Sequence, residues 1–153
     1  MNQLKADEWL LAVARETAKN ATCARRSVGC VLANERNQIL ATGFNGPPRG
    51  LPHCTAESPS DRKALIAGTG LGLDLCQAVH AEQNALLQCR DVYQIESCFS
   101  TTAPCLTCTK LLLNTSCRAI YHIEDYPQAE MAKALWEGAG RVWAARMTAE
   151  ELR

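Results

Sequence analysis

The sequence predicts a three-layer α/β/α fold, a mixed five-stranded sheet flanked by helices. Three observations carry that expectation. An apolar, β-branched pair of runs joined by a polar turn occupies residues 28–46 and reads as an antiparallel hairpin. After residue 80, helical and strand-like segments alternate, which predicts parallel pairing through helical crossovers. The chain has 153 residues, 47% hydrophobic and 21% charged, the profile of one soluble domain (1–153) with a sizeable core.

The elements follow in order. Leu10, Val13, Ala14, Thr17, Ala18 and Ala21 recur at helical spacing, so residues 6–22 form a helix with one buried face. "VGCVLANE" and "NQILATGFNG" are the hairpin strands. Residues 46–79 hold four of the six prolines and most of the glycines, so they read as a long loop with one short helix at 60–67. A loop of that length inside a compact domain is usually functional. Then come a helix ("HAEQNALLQC"), a strand ("SCFSTTA"), a helix ("CLTCTKLLLN") and a strand ("CRAIYHI"). "PQAEMAKALWEGAG" is a helix with proline near its first turn and glycines at its end, and "RVWAA" is a last strand. "TAEELR" reads as a short surface helix opened by a Thr148/Glu151 capping box.

Charge narrows the function classes. Lys plus Arg and Asp plus Glu each total 16, so the formal charge is zero, which argues against a nucleic-acid footprint. A compact basic pocket for one phosphate is still allowed. The first twenty residues lack the apolar core of a signal peptide, and no apolar run approaches a membrane span. The expectation is a cytoplasmic protein whose thiols stay reduced, with no membrane partner. Nine cysteines in such a chain point to metal or catalysis sooner than to disulfides.

Two helix starts carry the chemistry. One opens with His80-Ala81-Glu82 and the other with Pro104-Cys105-Leu106-Thr107-Cys108. Cys105 and Cys108 at i, i+3 share one face of a first turn, where the positive helix end favours thiolate. With His80 they make three ligands for zinc and leave the fourth tetrahedral position open, the mark of a catalytic site. Glu82 is placed to reach a water there and to shuttle its proton. A C-x-x-C alone would more often be a redox pair or half of a structural knuckle. A redox pair gives His80 and Glu82 no role, and a knuckle would want a fourth ligand that Glu82 is poorly placed to be. The order H-x-E then P-C-x-x-C is that of the zinc nucleobase deaminases.

From the hairpin to Tyr126 the chain resembles the cytidine deaminase-like superfamily and, within it, the deoxycytidylate (dCMP) deaminases. The resemblance rests on "CARRSVGCVL", "ATGFNGPPRGLPHC", "CQAVHAEQNALLQ", "TTAPCLTCTKLL" and "CRAIYHIEDYP". It implies hydrolytic deamination of dCMP to dUMP and ammonia by attack at C4 of cytosine, feeding thymidylate synthesis. It also implies that Asn45 bonds the sugar, that the Ala81 N–H meets the base carbonyl, and that Tyr126 packs near sugar and phosphate. Arg26 is a phosphate candidate, with Arg25, Arg49 and Lys110 beside it. A second, structural zinc is implied at Cys23 and Cys54, completed by Cys76 or His53. The resemblance further implies a homo-oligomer, commonly a hexamer, activated by dCTP and inhibited by dTTP. The rival readings are a tRNA adenosine deaminase, another cytosine nucleoside or nucleotide deaminase, and a noncatalytic zinc- or nucleotide-binding module.

Overall fold

The computed structural model describes residues 2–23, 25–53, 77–126 and 128–146. The expected helix at 60–67, the terminal helix at 148–153, Cys54, Cys76 and the 55–75 stretch lie outside the described residues.

The first helix, α1 (Gln3–Ala18), starts earlier and ends earlier than the 6–22 expected from its apolar spacing. Asn2 caps it, its side chain accepting from the Lys5 N–H at 3.0 Å. At the other end the Thr22 N–H bonds the Asn45 carbonyl at 3.0 Å. That pairing draws residues 20–22 out of the helix toward the sheet.

Two strands follow, β1 (Gly29–Ala33) and β2 (Ile39–Phe44), paired antiparallel as the sequence predicts. Asn34 closes the turn between them, its Oδ1 accepting from the N–H groups of Arg36 at 2.9 Å and Gln38 at 3.0 Å. The rest of the sheet is β3 (Ser97–Thr102), β4 (Ala119–Glu124) and β5 (Val142–Ala145), in the order β2-β1-β3-β4-β5. β3 runs antiparallel to β1, while β3, β4 and β5 are mutually parallel. Their connections are α3 (Leu106–Leu113) and α4 (Ala129–Gly138). Among the described residues between β2 and β3 lie α2 (Ala81–Gln88) and a 3₁₀ turn, Val92–Gln94, that the sequence does not announce.

Strand alternation splits the core into two layers. Val31, Ala33 and Phe99 face α1 and pack on Leu10, Leu11 and Ala14. Leu32, Cys98 and Ile120 face the other way and pack with Ala85 of α2, Leu112 of α3 and Trp136 of α4. The result is the expected three-layer arrangement, with α1 the helix on its side of the sheet among the described residues. Asp7, buried on α1, accepts from Gln3 at 2.7 Å and from Arg146 beyond β5 at 3.3 Å, tying helix to sheet. No helix among the described residues is long and apolar enough to cross a membrane.

The two halves meet at one end of the sheet. Gly46 and Val79 exchange backbone bonds at 3.2 and 2.8 Å, closing the long excursion between them and delivering the chain to His80. β3 delivers Cys105 to the same end, just past its carboxyl terminus, where open α/β sheets place their ligands.

Candidate metal centre

His80 is the N-cap of α2, with extended backbone angles. Its N–H donates to Gln83 Oε1 at 2.8 Å, so the helix's own third residue holds the His80 backbone in place. Cys105 is likewise the N-cap of α3, and its sulfur accepts from the Cys108 N–H at 3.5 Å. Each sulfur, Cys105 Sγ and Cys108 Sγ, lies 3.4 Å from His80 Nδ1, and the three donor atoms all fall within 4.8 Å of one another. A tetrahedral zinc with Zn–S of about 2.3 Å and Zn–N of about 2.0 Å would set sulfur and nitrogen about 3.5 Å apart. The donor set therefore fits zinc in kind and in spacing. Among the described residues this is the group of His, Cys, Asp and Glu side chains arranged to hold an ion.

The electrostatics suit a cation. Before metal binds, the Cys108 thiol donating to Cys105 brings the Cys105 thiol down to about 4, helped by His80. Cys108 is pushed up in turn, first by Cys105 and then by burial. Zinc would take both as thiolates.

Glu82, on the first turn of α2, is 4% exposed. Burial pushes its carboxyl above the usual carboxylate range, against the pull of its own backbone N–H, of His80 and of Ser100. The Ser100 hydroxyl donates to Glu82 Oε1 at 2.9 Å. Ala81 is the first residue of α2, so its N–H has no acceptor within the helix.

Of the other expected site residues, Tyr126 lies close enough to Cys105 and Cys108 to feel their charge. Tyr126 is half-buried, and its hydroxyl oxygen is buried with no hydrogen-bond partner among the described residues. Burial and then the Cys105 charge push its phenol up, opposed by Arg26 and Arg25. The Arg26 guanidinium sits 5.7 Å from the Tyr126 ring centroid. Asn45 is buried, and both ends of its amide are engaged. Oδ1 accepts from the Val28 N–H at 2.8 Å, and Nδ2 donates to the Arg26 carbonyl at 2.8 Å. Its evident work is to clamp the backbone that carries Arg26. Lys110, Arg49 and His53 are exposed, and Cys23 is half-buried. The expected second-zinc set, Cys23 and Cys54 with Cys76 or His53, lies in part outside the described residues.

Residues 4–124 match the family model of the cytidine and deoxycytidylate deaminase zinc-binding region. The chain belongs to that family. His80, Cys105 and Cys108 are the group in it that fits the family's zinc. The chain is 33% identical over 136 residues to the deoxycytidylate deaminase of Schizosaccharomyces pombe, an alignment covering 88% of this chain and 42% of that one. It is 34% identical over 110 residues to the deoxycytidylate deaminase of Mycobacterium phage D29, covering 69% of this chain and 84% of that one. ComE operon protein 2 of Bacillus subtilis is 31% identical over 147 residues, with 92% and 70% covered. The chain thus spans somewhat under half the length of the Schizosaccharomyces pombe relative and most of the phage one. Among solved structures, the dCMP deaminase of cyanophage S-TIM5 in complex with dCMP and dUMP superposes with a TM-score of 0.75 at 21% identity, over 95% of this chain and 99% of that one. That likeness establishes the cytidine deaminase-like fold.

Ser100, Gln83 and Gly43 are absent from the sequence reading of the site. A Cβ on Gly43 would run into the backbone of Ala81 and Ala85, so its bare backbone is what lets α2 lie close on β2. Ser100 offers no comparable signal, because Ser97, Thr101 and Thr102 of the same strand carry hydroxyls too.

Proposed function

We propose that the chain catalyses zinc-dependent hydrolytic deamination of dCMP to dUMP and ammonia. The observation that carries this reading is a buried carboxylate, Glu82, two residues from a ligand in a three-donor site that leaves a fourth metal position free. His80, Cys105 and Cys108 would hold zinc, which would lower the pKa of a bound water to about neutrality. The residues of the chain do the rest. Glu82 accepts a proton from the attacking water and delivers it to N3 of the cytosine ring. With the C4–O bond formed, the same carboxylate takes the remaining proton from the hydroxyl on C4 and passes it to the amine; C4=O forms as the C4–N bond breaks, and ammonia leaves. The Ala81 N–H, free of any acceptor within its helix, meets the base carbonyl and fixes the ring.

Substrate class follows from the cations. Arg26, stacked on Tyr126, and Arg25 beside it supply a compact positive patch suited to one phosphate. The orphaned Tyr126 hydroxyl is a further donor for it. Asn45 keeps one N–H and one lone pair beyond its two backbone bonds, enough to take a sugar hydroxyl. The named relatives, deoxycytidylate deaminases of yeast and phage, support the same substrate. We include in the proposal a cytoplasmic homo-oligomer responsive to dCTP and dTTP, which rests on the family resemblance alone.

The test is ammonia release by zinc-loaded protein from dCMP, CMP, dCTP, deoxycytidine and an adenosine-bearing anticodon stem-loop, each with and without dCTP or dTTP. Turnover confined to dCMP is expected. Activity only on the RNA would reassign the substrate, and silence on all of them with zinc bound would overturn the enzyme reading in favour of a binding module.

A further inference from the structure

Ser100 lies on the face of β3 that looks toward α2, two residues after Cys98 on the same face. It is fully buried, opposite Cys30 of β1 and His122 of β4. A hydroxyl taken out of water is costly unless it finds a partner. Among the described residues its hydrogen bond is to Glu82 Oε1, at 2.9 Å. Of the cysteines that feel the Glu82 charge, Cys30, Cys98 and Cys108, Cys108 alone shares a hydrogen bond with it, and a thiol is a weak donor. Among the described residues, the Ser100 hydroxyl is therefore the hydroxyl donor to this carboxylate.

The chain path gives the contact more weight. His80 and Glu82 ride on α2, whereas Cys105 and Cys108 ride on α3, which β3 feeds after Thr102 through three residues. Ser100 stands five residues before Cys105 on that second body. Its bond to Glu82 thus ties the carboxylate to the frame that carries two of the metal ligands. A hydroxyl can donate to a carboxylate and accept from a carboxylic acid, so the tie survives both protonation states of a proton shuttle.

We infer that Ser100 is a positioning residue for Glu82, holding Oε1 so that Oε2 is left for proton transfer. This rests on the reading of Glu82 as the shuttle. It assigns Ser100 no contact with substrate or metal.

The test compares zinc-loaded wild type with Ser100→Ala, and with Ser100→Cys as a second variant that keeps the volume and weakens the donor. Loss of a hydrogen bond to a charged group predicts about a tenfold fall in kcat for Ser100→Ala, with a smaller fall for Ser100→Cys. KM for dCMP should stay within about twofold, because the bond serves the chemical step rather than binding. Zinc content should be unchanged. Crystal structures of the two forms give a readout independent of turnover: one Glu82 conformer in wild type, a displaced or split carboxylate in Ser100→Ala. Wild-type kcat in both variants, a fall that tracks zinc loss, or an unmoved carboxylate would overturn the inference. Wild-type protein inert on every substrate would instead defeat the proposed function, and the carboxylate positions would then decide the role of Ser100.

Discussion

Two helices of eight residues each bring the ligands together, and they are held in place in opposite ways. α3 follows β3 after three residues, and the Ala103 N–H in that link bonds the Glu124 carbonyl of β4 at 2.8 Å. Its two cysteines are placed by local geometry, a strand end and a first turn. α2 does not follow its strand so directly, 36 residues standing between Phe44 and Ala81. It is set by the Gly46–Val79 exchange and by the bare backbone of Gly43. Two amides add to this, Asn84 donating to the Phe44 carbonyl at 2.7 Å and Gln88 to the Thr42 carbonyl at 3.0 Å. Those carbonyls lie on the outer strand β2, so the same bonds also cover a sheet edge. One half of the site is placed by chain connectivity and the other by tertiary fit.

The largest expected effect falls on the connected half. Cys108→Ser should abolish stoichiometric zinc and cut turnover by more than about a hundredfold, since changes to outer-shell partners alone reach that size. Elemental analysis beside the dCMP assay checks it; full zinc occupancy would break the ligand assignment. Next comes Gly43→Ala on the fitted half. Its methyl forces α2 away from β2, at about 1–3 kcal/mol in stability. It should also lower kcat, because Glu82 and His80 move with the helix. A melting curve and kcat measured together would show both losses; a stable, fully active variant would mean that α2 is not seated by this contact. Smaller still, Asn84→Ala and Gln88→Ala should each cost about 0.5–1 kcal/mol by denaturant unfolding, with zinc retained.

Last is a pH effect that belongs to neither helix. His122 is buried on β4, and burial lowers its pKa below the ordinary value, with Asp125 opposing and Lys133 adding to the shift. The folded chain therefore keeps it neutral while the unfolded chain protonates it at about 6.5. Its contribution is fully present above that value and declines as pH falls below it, because the unfolded state then binds the extra proton. Stability measured across that range should flatten in His122→Gln. An unchanged slope would place the acid sensitivity elsewhere.

The same contrast explains what the sequence makes legible. His80, Glu82, Cys105 and Cys108 can be read from spacing because helix first-turn geometry is local, and the hairpin and alternating strands can be read from periodicity. Gly43, Ser100 and the clamping role of Asn45 cannot. Their meaning lies in which backbone passes opposite them, Ala85 for Gly43 and the Val28 N–H for Asn45. For Ser100 it lies in how β3 registers beneath α2. The early end of α1 has the same origin, since apolar spacing continues to Ala21 while the Thr22–Asn45 bond pulls the chain away.

The most direct single measurement sets zinc-loaded Glu82→Gln against wild type, reading ammonia release from dCMP and metal content on the same samples. The expected result is turnover in wild type, its loss in the variant, and equal zinc in both. A variant that binds zinc and still deaminates dCMP at the wild-type rate would contradict the role of Glu82 as the proton shuttle.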